Sequence, residues 1–274
     1  MPKEIFQIMA ERQAAGKSFA VATVVETRGS VSAKTGAKAV IDADGTMVAG
    51  WVGGGCAESS TREAAIKCIE TGQTTVLDID LDDEMLGAGM PCGGSMRVYI
   101  EPVLPKPTLW IMGHGRIAEC LCLLGDLLGF NVVVNDSTIA REQYPAAARL
   151  ITDDVHYDQL TPQPRDFVVI ATQHKGDHES MRRTLASHAR YIALIASRKR
   201  SKLVMEYLRE EGFPQTELDR VRAPAGLDLG AKTPEEIALS VMSEMVSIRR
   251  QGSGLPMREK LQAGGKPVKS QAAG

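Results

Sequence analysis

Apolar positions along this chain change spacing near residue 105. Before it, short apolar runs alternate with helical spacing. Residues 4–15 read as a helix, and SFAVATVVET (18–27) is apolar and β-branched, the signature of a strand. RGSVSAKTGAKAV follows with a Gly/Ser/Lys loop, and DADG (42–45) marks a turn between two short strands. After GGGC, the stretch AESSTREAAIKCIETG brings Ala57, Ala64, Ala65, Cys68 and Ile69 to one helical face, and Gly72 can stop the helix. TTVLDIDL reads as another strand, and PCGGSMRVYIEP enters one with period-2 alternation.

EPVLPKPTL (101–109) holds three prolines in nine residues, which helices and central strands tolerate badly, so a linker is expected there. Beyond it, apolar strands alternate with helices. TLWIMGHGRIAECLCLLGDLLGFNVVVND reads as strand, glycine turn, helix, strand. RDFVVIATQ (165–173) and RYIALIASR (190–198) are further strands, and KLVMEYLREEG is helical. TPEEIALSVMSEMVSIRR starts with a capping box of Thr233 and Glu236, has Pro234 at its first helical position, and repeats Ile237, Val241, Met245 and Ile248 at helical spacing. Such alternation predicts an α/β protein. A small N-terminal α/β domain (1–103) precedes a Rossmann-like, doubly wound parallel sheet (107–250). The tail, 251–274, has few apolar residues and is expected to lack structure.

Composition narrows the partners. The chain has 274 residues, 43% of them hydrophobic but only 4% aromatic, so the cores rest on aliphatic side chains. A net charge of −2 offers no general attraction to nucleic acid or anionic membrane. The N-terminus lacks the apolar block of a secretory signal, and no run approaches the ~18 apolar residues of a membrane span. A cytoplasmic protein is expected. The five cysteines are an odd number, without CxxC or zinc-type spacing, which argues against a disulfide framework.

Three places carry candidate chemistry. GHGRIA (113–118) follows an apolar strand and opens a helix, and Asp136 ends the next strand, 23 residues after Gly113. This is the dinucleotide pattern G-x-G-x-x-G/A. Gly113 and Gly115 let a pyrophosphate approach, the helix start at Arg116 and Ile117 supplies N–H donors, and Asp136 would bond a ribose hydroxyl. FAD or NAD(P) is the ligand this pattern predicts; the competing reading is a tight strand-to-helix turn. His114 faces either a phosphate or water. Second, Gly53, Gly54 and Gly55 lead into Cys56 at a helix start, where the dipole and N–H groups favour thiolate. Cys92, followed by Gly93 and Gly94, repeats the arrangement. Each is either a reactive thiol or a small residue filling a corner. Cys68, Cys120 and Cys122 fall in apolar helical patterns and read as core. Third, ATQHKGDHE (171–179), with Thr172, His174, Lys175, Asp177 and His178, leaves a strand end as a cleft-lining loop. ASRKRS (196–201), with Ser197 and Arg198, is either a solvated basic turn or a phosphate contact.

Through GGGCAE, PCGGSMRVYIEP, GHGRIAE, YIALIASRKR and APAGLDLGAKTPEEIA, the chain resembles the xanthine dehydrogenase accessory proteins of the XdhC/CoxI family. The resemblance runs to about residue 250. It implies a carrier, commonly dimeric, rather than a turnover enzyme. Such proteins bind molybdenum cofactor (molybdopterin or its dinucleotide form), support its sulfuration, and hand it to a xanthine dehydrogenase or carbon monoxide dehydrogenase apoenzyme. A cysteine desulfurase is a further implied partner. The family's cysteines map onto Cys56 and Cys92. The sequence departs from the family at ATQHKGDHE, at ASRKR and at NDS after the second Rossmann strand. A second reading has Cys56 and Cys92 as the thiol pair of an FAD- or NAD(P)-linked thiol–disulfide oxidoreductase, provided their Cα atoms come within ~7 Å.

Overall fold

The structure is a computed structural model that describes residues 2–80, 94–172 and 177–259. The chain divides into two compact units, Met1–Pro105 and Lys106–Gly274. Cys92, Gly93, His174 and Lys175 lie outside the described residues, as does the tail beyond residue 259.

The first unit is built on a five-stranded antiparallel sheet. Its elements are α1 (Pro2–Ala14), β1 (Phe19–Gly29), β2 (Lys38–Asp42), β3 (Met47–Gly50), α2 (Cys56–Thr71), β4 (Thr75–Asp80) and β5 (Gly94–Val103). The order is β3-β2-β1-β5-β4, with β1 in the centre. β1 is apolar on both faces because both are covered. Ala20, Ala22 and Val24 pack with Ala57, Ala65, Cys68 and Ile69 of α2. Phe19 and Val21 pack with Ile5, Ile8 and Met9 of α1 on the other side. The Asp42–Gly45 turn closes the β2–β3 hairpin through Gly45 N–H to Asp42 O at 2.9 Å. Gly72, in the left-handed conformation, ends α2.

The second unit is a six-stranded parallel sheet with helices on both faces. β6 (Thr108–Gly113), α3 (Arg116–Leu127), β7 (Asn131–Asn135), β8 (Arg149–Ile151) and β9 (Phe167–Ala171) come first. Then follow α4 (Asp177–Leu185), β10 (Tyr191–Leu194), α5 (Arg198–Glu210), α6 (Gln215–Leu218), β11 (Val221–Arg222) and α7 (Pro234–Arg250). Read from the other edge, the order is β8-β7-β6-β9-β10-β11, the 3-2-1-4-5-6 arrangement of a Rossmann sheet. Alternate residues of each strand serve opposite layers. Leu109, Ile111, Val132, Val134 and Val169 meet Leu121 of α3 and Met242 and Met245 of α7. Met112, Val133, Val168 and Ile170 meet Met181 of α4 and Val204 and Leu208 of α5. The fold is therefore doubly wound, as its apolar runs imply.

The chain reverses its winding between β6 and β9. There Gly113 has φ +122°, and a Cβ on it would stand 2.4 Å from the carbonyl oxygen of Ala171. Only glycine fits. The stretch 171–179, expected as a loop, is in part helical, since α4 starts at Asp177. His178 packs on the Tyr207 ring of α5, with centroids 4.2 Å apart, rather than standing in a cleft. α7 carries the full capping box, with Glu236 N–H donating to Thr233 Oγ1 and Thr233 N–H to Glu236 Oε2.

Two substitutions test this account. Gly113→Ala should lower the stability of the second unit by about 3 kcal/mol, read from urea unfolding, because strain and overpacking add. Thr233→Ala should cost about 1 kcal/mol. An unchanged unfolding midpoint for Gly113→Ala would contradict the close approach.

Candidate functional site

In the first unit the glycines shape the entry to α2. Gly53 is buried, and a Cβ there would lie 3.1 Å from Ala57 Cβ. Gly54 and Gly55 are exposed, and a Cβ on either would meet nothing within 4 Å. Gly55 is the N-cap, at φ 59° and ψ −125°, and supplies no side-chain cap. The backbone ahead of the thiol is thus open on the outside and packed on the inside. Cys56, the first residue of α2, is half-buried. It sits where the first N–H groups and the positive end of the helix dipole favour an anion.

The other described cysteines differ. Cys68, Cys120 and Cys122 are buried. Burial pushes all three thiols up, Cys122 to about 11, so none is poised as a thiolate. Among the described cysteines, Cys56 is the one that is not fully buried. Gly94, expected to leave a bare approach, is instead buried against β1. A Cβ on it would stand 2.5 Å from Arg28 O, so sheet packing accounts for this glycine.

In the second unit the glycine turn is bonded inward. Gly115, the N-cap of α3, donates its N–H to the hydroxyl of buried Tyr144 at 3.2 Å. His114 Nδ1 lies 2.9 Å from Asp136 Oδ2. Asp136 Oδ1 accepts from both the N–H and the hydroxyl of Thr138, at 2.9 and 2.6 Å. Burial pushes the Asp136 carboxyl up, but the bonds from His114 and Thr138 outweigh it and hold the carboxyl below its usual range. The acid expected to read a ribose is thus bonded within the protein. Arg116 is exposed and paired to Glu235 of α7 at 2.7 Å and to Glu119 at 3.3 Å. The Ile117 side chain packs on the core. Ala118, in place of a third glycine, is fully buried under the sheet. Thr172 is buried at the switch point.

Ser197 and Arg198 belong to a different part of the sheet edge. Ser197 caps α5, accepting from the Arg200 N–H at 3.3 Å, and Arg198 is the first residue of the helix. Both line a crevice of about 710 Å³ with residues of the 224–231 loop. Sequence reasoning missed Tyr144, which lies in an irregular stretch without a pattern. It also missed Glu244, which accepts from Tyr191 Oη at 2.6 Å and from Gly226 N–H at 2.9 Å. Glu244 reads from sequence as one more polar helix position.

The fold and site define a two-unit α/β protein, with a thiol at a glycine-lined helix start followed by a Rossmann domain. Family models match both parts: the XdhC Rossmann domain over residues 109–245, and the XdhC and CoxI family over residues 12–80. The chain belongs to the XdhC and CoxI family. Among curated relatives, the uncharacterized protein YqeB of Escherichia coli is 29% identical over 91% of this chain and 47% of its own. A probable xanthine dehydrogenase subunit of Bacillus subtilis is 30% identical, over 56% of this chain and 46% of its own. The molybdenum cofactor insertion chaperone PaoD of E. coli is 23% identical over 90% of this chain and 88% of its own. The chain thus spans about half the length of the first two relatives. A solved structure described as a xanthine dehydrogenase from Bacillus halodurans aligns at 22% identity with a TM-score of 0.49, over 89% of this chain and 95% of that one. No helix among the described residues is long and apolar enough to cross a membrane.

The bonds to Asp136 give a pH dependence of known sign. Its carboxyl is held low in the folded protein, so its stabilisation is present above the unfolded value and lost as pH falls through the folded one. The stability gap between parent and Asp136→Asn should therefore narrow from pH 5 to pH 2 in urea unfolding. A constant gap would exclude the assigned bonding.

Proposed function

We propose that this protein binds molybdenum cofactor and delivers it to a molybdenum hydroxylase apoenzyme of the xanthine dehydrogenase or carbon monoxide dehydrogenase type. The observation that carries this reading is Cys56, a half-buried thiol at a helix start behind open glycine backbone, in a chain of this family. PaoD, a molybdenum cofactor insertion chaperone by name, supports it by matching over most of both chains. A soft thiolate suits molybdenum or a sulfur ligand. The bare backbone at Gly54 and Gly55 gives a bulky pterin room to approach the thiol. Cys92 would be its second thiol, and residues 1–103 the cofactor-handling part, with 107–250 as the Rossmann part. The cofactor is cargo here, carried rather than turned over. Support of its sulfuration by a cysteine desulfurase, a homodimeric state and a cytoplasmic location belong to the same reading.

The test is mass spectrometry of small molecules released from protein purified without oxygen, followed by activation of a molybdenum hydroxylase apoenzyme. The parent should release a molybdopterin species, and Cys56→Ala should deliver it at least tenfold less well. A flavin or nicotinamide dinucleotide with no pterin would favour the thiol–disulfide oxidoreductase. Equal delivery by Cys56→Ala would remove the thiol from the mechanism.

A further inference from the structure

α3 and α7 lie side by side on one face of the second sheet and run the same way. At their starts Arg116 Nε lies 2.7 Å from Glu235, and at their ends Arg249 donates to Leu128 O at 3.0 Å. Their inner residues, Leu121 of α3 and Val241, Met242 and Met245 of α7, are buried in the core. Their outward faces carry more than polar residues. Leu123 and Leu127, one turn apart on α3, are 49% and 80% exposed, and Leu239 of α7 is 51% exposed. Val246, two turns beyond Leu239 on the same face, is half-buried. A single exposed leucine is ordinary, but aliphatic side chains grouped on two adjacent helices form a patch of the kind that marks an interface.

α7 carries a further pattern on that face. Glu235, Leu239, Ser243, Val246 and Arg250 follow at helical spacing and share it. Their order is acid, apolar, small, apolar, base. Glu235 and Arg250 are equally far from a midpoint between Met242 and Ser243, and so are Leu239 and Val246. A two-fold axis at that midpoint sets Leu239 of one copy opposite Val246 of another, and Glu235 opposite Arg250, each contact made twice. Ser243, small and beside the axis, lets the two backbones approach. Glu235 keeps 53% of its side chain exposed beside Arg116, and Arg250 is exposed. Antiparallel helices also bring the positive end of each dipole beside the negative end of the other. A parallel pair would instead set acid on acid and base on base. A self-complementary order is what a second copy of the same chain requires.

We propose that α7 packs antiparallel on α7 of a second copy of this chain, with Leu123 and Leu127 of α3 flanking the contact. Apolar burial supplies the affinity. The end pairs set the register, since exposed ion pairs add little energy. The proposal rests on the homodimer of the reading above and assigns it a surface.

Sedimentation equilibrium of the full chain tests this. The parent should be dimeric. Leu239→Glu, which sets a carboxylate in the apolar contact, should weaken association about tenfold or more. Glu235→Arg and Arg250→Glu should each weaken it alone, because like charges then meet at both ends. Mixed in equal amounts, these two variants should regain association, because a mixed dimer has opposite charges at both ends. The substituted side chains are exposed, and circular dichroism checks folding. A dimeric parent matched by Leu239→Glu would overturn this surface and leave the homodimer standing. Charge variants that dissociate and do not recover on mixing would overturn the antiparallel register. A monomeric parent would overturn the surface and the homodimer together. Pterin release and Cys56-dependent delivery are read separately, so failure of the carrier reading would appear there with association intact.

Discussion

The second unit depends on the contact between the Gly113 backbone and the Ala171 carbonyl. Two parallel strands come together there with no side chain between them, and then their chains part to opposite faces. α3 leaves on one side and α4 on the other, which lets the sheet be covered twice. The same turn directs His114 toward Asp136 and Gly115 toward Tyr144. The turn has the backbone that the dinucleotide pattern demands, and His114 and the Gly115 N–H are bonded to Asp136 and Tyr144.

Two places in the second unit are shaped by different contacts. The switch point organises the sheet. The open crevice stands at β10 and β11, where a carboxylate behind the loop, Glu244, bonds two groups from different elements and sets the shape of the lining. In the first unit the division is similar on a smaller scale. Gly53 faces inward and lets α2 pack, while Gly54 and Gly55 face outward and leave space before Cys56.

Much of this was legible where a local requirement leaves a local trace. Strands buried on both faces write continuous apolar runs, as in Val132–Val134 and Phe167–Ile170. The turn at 113–118 writes its glycines, and α7 writes its cap in Thr233, Pro234 and Glu236. β8 and β11 were not legible, since three and two residues are too few to show a period. α4 was hidden because its first turn reads as a polar loop. Tyr144 and Glu244 act across the fold on residues remote in sequence, and no spacing along the chain records such a bond. Gly94 misled for the opposite reason. Its flanking pattern resembles an open approach, whereas its neighbour is the backbone of β1.

β1 is the middle strand of the first sheet, and its two neighbours are made at different times. β2 follows it directly, but β5 begins only at Gly94, after α2 and β4 have been synthesised. At roughly 5–20 residues per second, the ribosome leaves one edge of β1 unpaired for several seconds. That edge belongs to an apolar, β-branched strand, the kind most prone to pair with another chain. The nascent protein therefore passes through an interval of aggregation risk before its own sheet closes.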